Sequence, residues 1–165
     1  MFKTCWGWFG LLGDEAALRR TCLPLPDKNA VISHLIHDFD LKPRPANIFT
    51  EYQDLICAYF DGQPTDFSHI PVSLSQFAPF HRAVLGVLQS LTYGKTISYT
   101  DLAARAGRPL AIRAAASAVA QNPLPVIIPC HRILRKDGSL GGFSAPGGIE
   151  TKKRLLNLEN SRFFP

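Results

Sequence analysis

The segment NPLPVIIPCHRI, residues 122–133, constrains this chain more than any other. Its prolines, at positions 123, 125 and 129, each fix their own φ, remove a backbone donor and push the residue before them toward extended or turned backbone. The short apolar run therefore delivers Cys130 on a stiff approach, in a setting where the side chains of Cys130, His131 and Arg132 are fixed about a common edge. Asn122 stands eight residues before the cysteine, and DGSLGGFSAPGG (137–148) follows as a Gly-rich loop whose backbone can approach a ligand closely.

The rest of the chain is punctuated in the same way. The opening MFKTCWGWFGLLGDEAALRRTCLPLP alternates aromatic and small residues around a GDE turn, which predicts a β-hairpin ending at Pro24 and Pro26. DKNAVISHLIHDF then takes helical period behind a possible Asp27 N-cap. DLKPRPA is a loop, and NIFTEYQDLICAYFDG sets Ile48, Tyr52, Leu55, Ile56, Tyr59 and Phe60 on a stripe that stops at Gly62. Residues 62–75 carry two prolines and little periodicity, a connector between an N-terminal α/β domain (1–75) with antiparallel strands and a mainly helical C-terminal domain (76–165).

Past the connector, SQFAPFHRAVLGVLQSLTYG offers Phe77, Val84, Leu85, Leu88 and Leu91 as a buried helix face that stops near Gly94. SYTDLAARAG and PLAIRAAASAVAQ, separated by GRP, have the length and the Gly-containing corner of a helix-turn-helix. The second is nearly all alanine with one charge, Arg113, and reads equally as a close-packed core helix or as a helix that brings its backbone against a narrow groove. GGIETKKRLLNLEN gives a last helix with Leu155, Leu156 and Leu158 inward and Lys152, Lys153 and Arg154 available for phosphates.

Charge separates along the chain: residues 1–80 hold six Lys/Arg against nine Asp/Glu, and residues 81–165 hold twelve against four. The second half is thus suited to a polyanion. Pro, Gly and charged residues interrupt every apolar stretch, so no membrane span is expected. The four cysteines (Cys5, Cys22, Cys57, Cys130) lack CxxC spacing and no signal-peptide pattern opens the chain, so a reducing compartment is the expectation.

A cysteine reacts as its thiolate and needs a proton acceptor or a positive charge nearby. A Cys-His pair alone reads more often as a small buried hydrophobe beside a structural histidine. The wider run ISYTDLAARAG, IRAAASAVAQNPLPVIIPCHRI, DGSLGGFSAPGG and KKRLLNLE strongly resembles the O6-alkylguanine-DNA alkyltransferases over about residues 76–160. WGWFGLLGDEAALRRTCLP is only loosely similar to that family's N-terminal sheet.

The resemblance implies an α+β fold, an RNase H-like N-terminal part followed by a helical domain with a helix-turn-helix. It implies direct-reversal DNA repair in which the alkyl group of O6-alkylguanine passes to Cys130 in one irreversible displacement, with O4-alkylthymine left open as a second lesion. Cys130 would be activated by His131 through a bridging water, Glu159 would orient the imidazole, Asn122 would pin the turn and Tyr99 would bond the guanine edge. Arg113 would enter the base stack in place of the extruded nucleotide. Tyr99, Ala114, Ser117, Arg132, Phe143 and Ser144 complete the implied DNA contacts.

The implied partner is double-stranded DNA, approached from the minor groove with little sequence preference. The implied protein is a cytoplasmic or nuclear monomer without cofactor or metal. Phe143 stands where relatives usually place tyrosine, in a loop about two residues longer, and AAAS replaces a common Val-Gly pair after Arg113. Cys5, Cys22, His34 and His81 match no zinc spacing. Two rivals remain: a non-transferring lesion sensor, which should lack the cysteine, and a thiol hydrolase, which should turn over.

Overall fold

A computed structural model describes residues 1–37, 44 and 49–160. The DLKPRPA loop and Ile48 therefore lie outside the described residues, Arg44 excepted.

The N-terminal strands form an antiparallel sheet in the order β1 (Phe2–Thr4), β2 (Gly7–Gly13), β3 (Leu18–Leu25). One hairpin was expected, and two are present. The GDE turn joins β2 to β3, with the Asp14 carboxylate accepting from Ala16 N and Ala17 N, and β3 ends at Leu25. The extra turn, at Cys5 and Trp6, closes onto Gly7 at φ 131°, a conformation open to glycine, with Thr4 Oγ1 donating to Gly7 O.

Helix α1 (Lys28–Ile36) starts where Asp27 accepts from Ala30 N and packs Val31 and Leu35 on the sheet. Gly10 permits this approach, because a Cβ there would stand 2.5 Å from Val31 Cγ1 and 2.6 Å from Leu35 Cδ1. Helix α2 (Thr50–Phe60) buries Ile56, Tyr59 and Phe60, leaves Tyr52 and Leu55 half-buried, and is closed by Gly62 at φ 83°.

Helix α3 (Pro79–Gln89) opens on proline at its first position and buries Val84, Leu85 and Leu88. It ends five residues before Gly94, because Ser90 Oγ folds back onto Val87 O and frees residues 90–94 to turn. Leu91 remains buried outside the helix, and Phe77 lies before its start against the His81 ring at 4.1 Å.

Strand β4 (Ile97–Ser98) pairs in parallel with β5 (Ile133–Leu134). Between them lie α4 (Tyr99–Arg105), begun by a reciprocal Ser98–Asp101 capping box, and α5 (Ile112–Ala120), which starts past Pro109 and Leu110. A single 3-10 turn spans Cys130–Arg132, and α6 (Gly148–Glu159) ends the described chain. One apolar core runs from Phe9 and Leu18 through α2, α3, α4 and α5 to Leu124, Ile127, Ile128 and Leu155, while Val31 and Leu35 of α1 close a smaller cluster with Cys22. The architecture is α+β, and among the described residues no helix is long and apolar enough to cross a membrane.

Candidate active site

The backbone leading to Cys130 is held by hydrogen bonds that its prolines cannot make. Asn122 Nδ2 donates to Ile128 O at 2.7 Å while Asn122 Oδ1 accepts from Leu124 N at 3.1 Å, so one amide closes both ends of the loop. The sheet clamps it from behind. Buried Thr21 on β3 donates from its backbone N to Pro123 O and from Oγ1 to Pro125 O at 2.8 Å. Val126 sits at φ 77°, a left-handed conformation that a β-branched residue adopts only when its surroundings impose it.

Cys130 emerges from this loop 6% exposed, on the wall of a cavity of about 370 Å³. Tyr99, Ala116, Val119, Ala120, Phe143 and Ser144 line the rest, together with Gly142. Gly141, at φ 66°, keeps the loop beside the Tyr99 ring, where a Cβ would stand 3.4 Å from Cε2, and Ser144 Oγ ties the loop to Ala120 O at 2.7 Å. A wider groove of about 970 Å³ leads from Cys130 past Asn122 to Arg20 and His34.

Behind the thiol lies a buried polar cluster centred on Glu159. Its Oε1 accepts from His131 Nε2 at 2.6 Å and from the Tyr59 hydroxyl at 2.7 Å; its Oε2 accepts from Arg132 Nε at 2.8 Å and from Gly94 N at 3.1 Å. Burial alone would raise the Glu159 carboxyl, but His131 and Arg132 outweigh it and hold the group far below the usual carboxylate range. Burial lowers the His131 imidazole, which is therefore neutral at pH 7.

The tautomer follows from the partners. With Nε2–H donating to Glu159, the buried Nδ1 carries the lone pair, and it has no hydrogen-bond partner among the described residues. The imidazole is thus poised to accept a proton at that atom. Cys130 needs such a base, because burial pushes its thiol up, and the Asn122 amide and the Lys152 ammonium pull it only partly back. The Tyr99 phenol is raised first by burial and next by Cys130, so it stays a neutral donor.

Two expected DNA contacts need correction. Arg132 is 3% exposed and its guanidinium is spent on Glu159 and Leu91 O, so it braces the cluster and cannot reach a phosphate. Lys152 is fully buried and donates to Ile133 O at 2.6 Å and to Leu140 O, joining β5 to the start of the Gly-rich loop. Of its neighbours, Arg154 packs over the Trp6 ring at 4.0 Å, and Leu158 is only half-buried.

Cys130, Tyr99, Phe143 and Ser144 thus share one cavity, with His131 and Glu159 together in the cluster and Asn122 at the loop. Arg113, Ala114 and Ser117 lie on the exposed face of α5, outside it. Thr21 and the structural roles of Tyr59 and Arg132 had no local sequence signal. Among the described residues no group of three His, Cys, Asp or Glu side chains could hold a metal ion.

Residues 79–161 match the family described as 6-O-methylguanine DNA methyltransferase, DNA binding domain. Methylated-DNA–protein-cysteine methyltransferases of Methanothermobacter thermautotrophicus and Haemophilus influenzae are 42% and 46% identical over 64% and 61% of this chain. Those matches span 58% and 55% of the two relatives, little more than half their length. Mycobacterium tuberculosis OGT in complex with DNA superposes with a TM-score of 0.78 at 32% identity, over 98% of this chain and 91% of that one. The O6-methylguanine-DNA methyltransferase of Pyrococcus kodakaraensis reaches 0.70 at 25% identity, over 93% and 91%.

Proposed function

Because this chain belongs to the O6-methylguanine DNA methyltransferase family, we propose that it repairs alkylated DNA by moving the alkyl group of O6-alkylguanine onto Cys130. One observation carries the reading: a thiol on the wall of a base-sized cavity, backed by a neutral histidine whose unprotonated nitrogen is buried and unpaired.

The chemistry balances. The Cys130 S–H proton passes through a bridging water to His131 Nδ1 while Sγ attacks the alkyl carbon; the C–O6 bond breaks and its electron pair stays on guanine. Tyr99 and the Ser144 loop donate to the base as that charge grows, and the imidazolium is stabilised by Glu159. The product is a thioether, which water does not readily cleave, so each molecule acts once.

The lesion reaches Cys130 by extrusion from the duplex, which costs a few kcal/mol and least for a weakly paired base. Helices α4 and α5 act as the helix-turn-helix, with the alanine face of α5 in the minor groove, Arg113 filling the vacated stack, and Ala114 and Ser117 against the backbone. Residues 76–165 form the DNA-binding and acceptor domain, and residues 1–75 form an RNase H-like domain whose Thr21 steadies the cysteine loop. The protein works as a monomer in a reducing compartment that holds DNA, the cytoplasm or a nucleus.

Incubation with excess duplex containing O6-methylguanine should repair about one equivalent of lesion per protein and then stop. Continuing release of product would assign Cys130 and His131 to a hydrolase instead.

A further inference from the structure

Four large hydrophobic side chains are exposed among the described residues, and two of them stand within three positions of Arg113: Leu110 at 97% and Ile112 at 39%. A single exposed leucine is ordinary. Here the placement is specific. Leu110 sits in a tight turn, closed by Ala111 N donating to Arg108 O at 2.9 Å and stiffened by Pro109, so it is held out from the tip joining α4 to α5.

Ile112 belongs to a stripe that leads to the thiol. Residues four apart share a helix face, so Ile112, Ala116 and Ala120 lie in line, and Ala116 and Ala120 line the cavity that holds Cys130. Ile112 is therefore about 6 Å further along the axis from Ala116, beyond the cavity on the same side. Ile112 thus extends the helix face that opens onto the proposed base pocket.

Its surroundings favour a polyanion. Arg105, Arg108 and Arg113 are exposed on the same helix pair, Arg108 resting over the Phe80 ring at 5.2 Å. The pair's one acid, Asp101, is engaged in the capping box at the start of α4. An apolar tip ringed by cations is what a minor-groove wedge requires: the cations hold the phosphates while the aliphatic side chains enter between base steps and open them.

We propose that Leu110 and Ile112 form an apolar wedge that enters the minor groove of duplex DNA beside Arg113 and unstacks the base step next to the lesion. The wedge rests on the alkyltransferase reading and adds to it a second device for extrusion. It lowers the cost of opening the duplex, and it has no part in the reaction at the thiol.

The test compares the wild type with Leu110→Ser/Ile112→Ser, which alters only exposed side chains and whose fold is checked by thermal melting. Methyl transfer is timed on a duplex with one O6-methylguanine and on free O6-methylguanine base, and bending of the duplex is followed by energy transfer between dyes at its ends. The variant should be slower by about tenfold or more on the duplex, unchanged within about twofold on the free base, and should bend the duplex less. Equal duplex rates and equal bending would overturn the wedge while leaving the alkyltransferase reading intact. Self-association of the wild type that the variant abolishes would give the patch to a second copy of the chain and also overturn it. Failure of the wild type to accept methyl from either substrate would overturn the alkyltransferase reading itself.

Discussion

Replacing Glu159 with glutamine should remove about 3–5 kcal/mol of stability and slow methyl capture by about a hundredfold or more. The carboxylate gathers four donors from three separate places: Tyr59 on α2, Gly94 in the turn after α3, and His131 and Arg132 in the 3-10 turn. Glutamine keeps the shape but brings two N–H donors into a cluster made of donors, and it leaves the Arg132 guanidinium buried without a counter-charge. It also withdraws the negative charge that stabilises His131 as it takes the thiol proton.

The sign of the acid response follows from the same groups. His131 is lowered by burial, so between its folded and its ordinary value the unfolded chain binds a proton that the folded chain does not, and stability falls as pH drops below about 6.5. Glu159, held far below its ordinary value, adds a further loss as pH falls through the ordinary carboxylate range. Urea unfolding from pH 7.5 to pH 4 should show a larger loss below about pH 5 in the wild type than in Glu159→Gln, since the lowered Asp14, Asp66, Asp101 and Asp137 carboxyls contribute to both proteins and cancel in the difference. A variant matching the wild type in stability and rate would remove Glu159 from its place.

Exchange of Lys152 for methionine should give the second large effect, visible as a pH-dependent difference. The folded lysine is lowered from 10.5 to about 8 by burial. At neutral pH its charge is therefore a cost, offset by the bonds to Ile133 O and Leu140 O. As pH rises from 8 toward 10.5 the folded chain gives up this proton while the unfolded chain keeps it, so unfolding becomes harder. The stability of the wild type relative to Lys152→Met should rise by about 3 kcal/mol across that interval.

Shifts of groups that do not interact with Lys152, such as the buried Cys22 thiol pushed up to about 12, are present in both proteins and cancel in the difference. The substitution should also slow transfer at neutral pH, since it removes a cation that draws the Cys130 thiol down. A difference that stays flat between pH 8 and pH 10.5 would show that the buried ammonium is not under the strain argued for it.

Lys152 also marks where sequence reading reaches its limit. KKR in the last helix offers three cations, and each successive side chain turns about 100° around the axis, so one residue of phase separates a phosphate ligand from a buried brace. The phase was readable from Leu155, Leu156 and Glu159, but a lysine is so seldom fully buried that composition argued against it. Arg132 misled in the same way, because nothing local to it announces Glu159 27 positions later.

Motifs with local physics were clearer. Asp27 as a cap, the GDE turn, the stripe on α2 and the break at GRP were legible because each depends on residues a few positions apart. The extra N-terminal strand was missed because its turn, Cys5 and Trp6, holds none of the residues that usually signal one. Asn122, Cys130, His131 and Glu159 stood out through family resemblance. Thr21 and Tyr59, which reach the same loop and cluster from about 100 positions away, required the fold.

The most direct measurement is the mass of the peptide containing Cys130 after the protein has met duplex DNA carrying O6-methylguanine. A single added methyl group on that cysteine, absent from Cys5, Cys22 and Cys57 and from a Cys130→Ser variant, is the predicted result. Lesion-dependent DNA binding with Cys130 left unmodified would contradict it and make the protein a sensor.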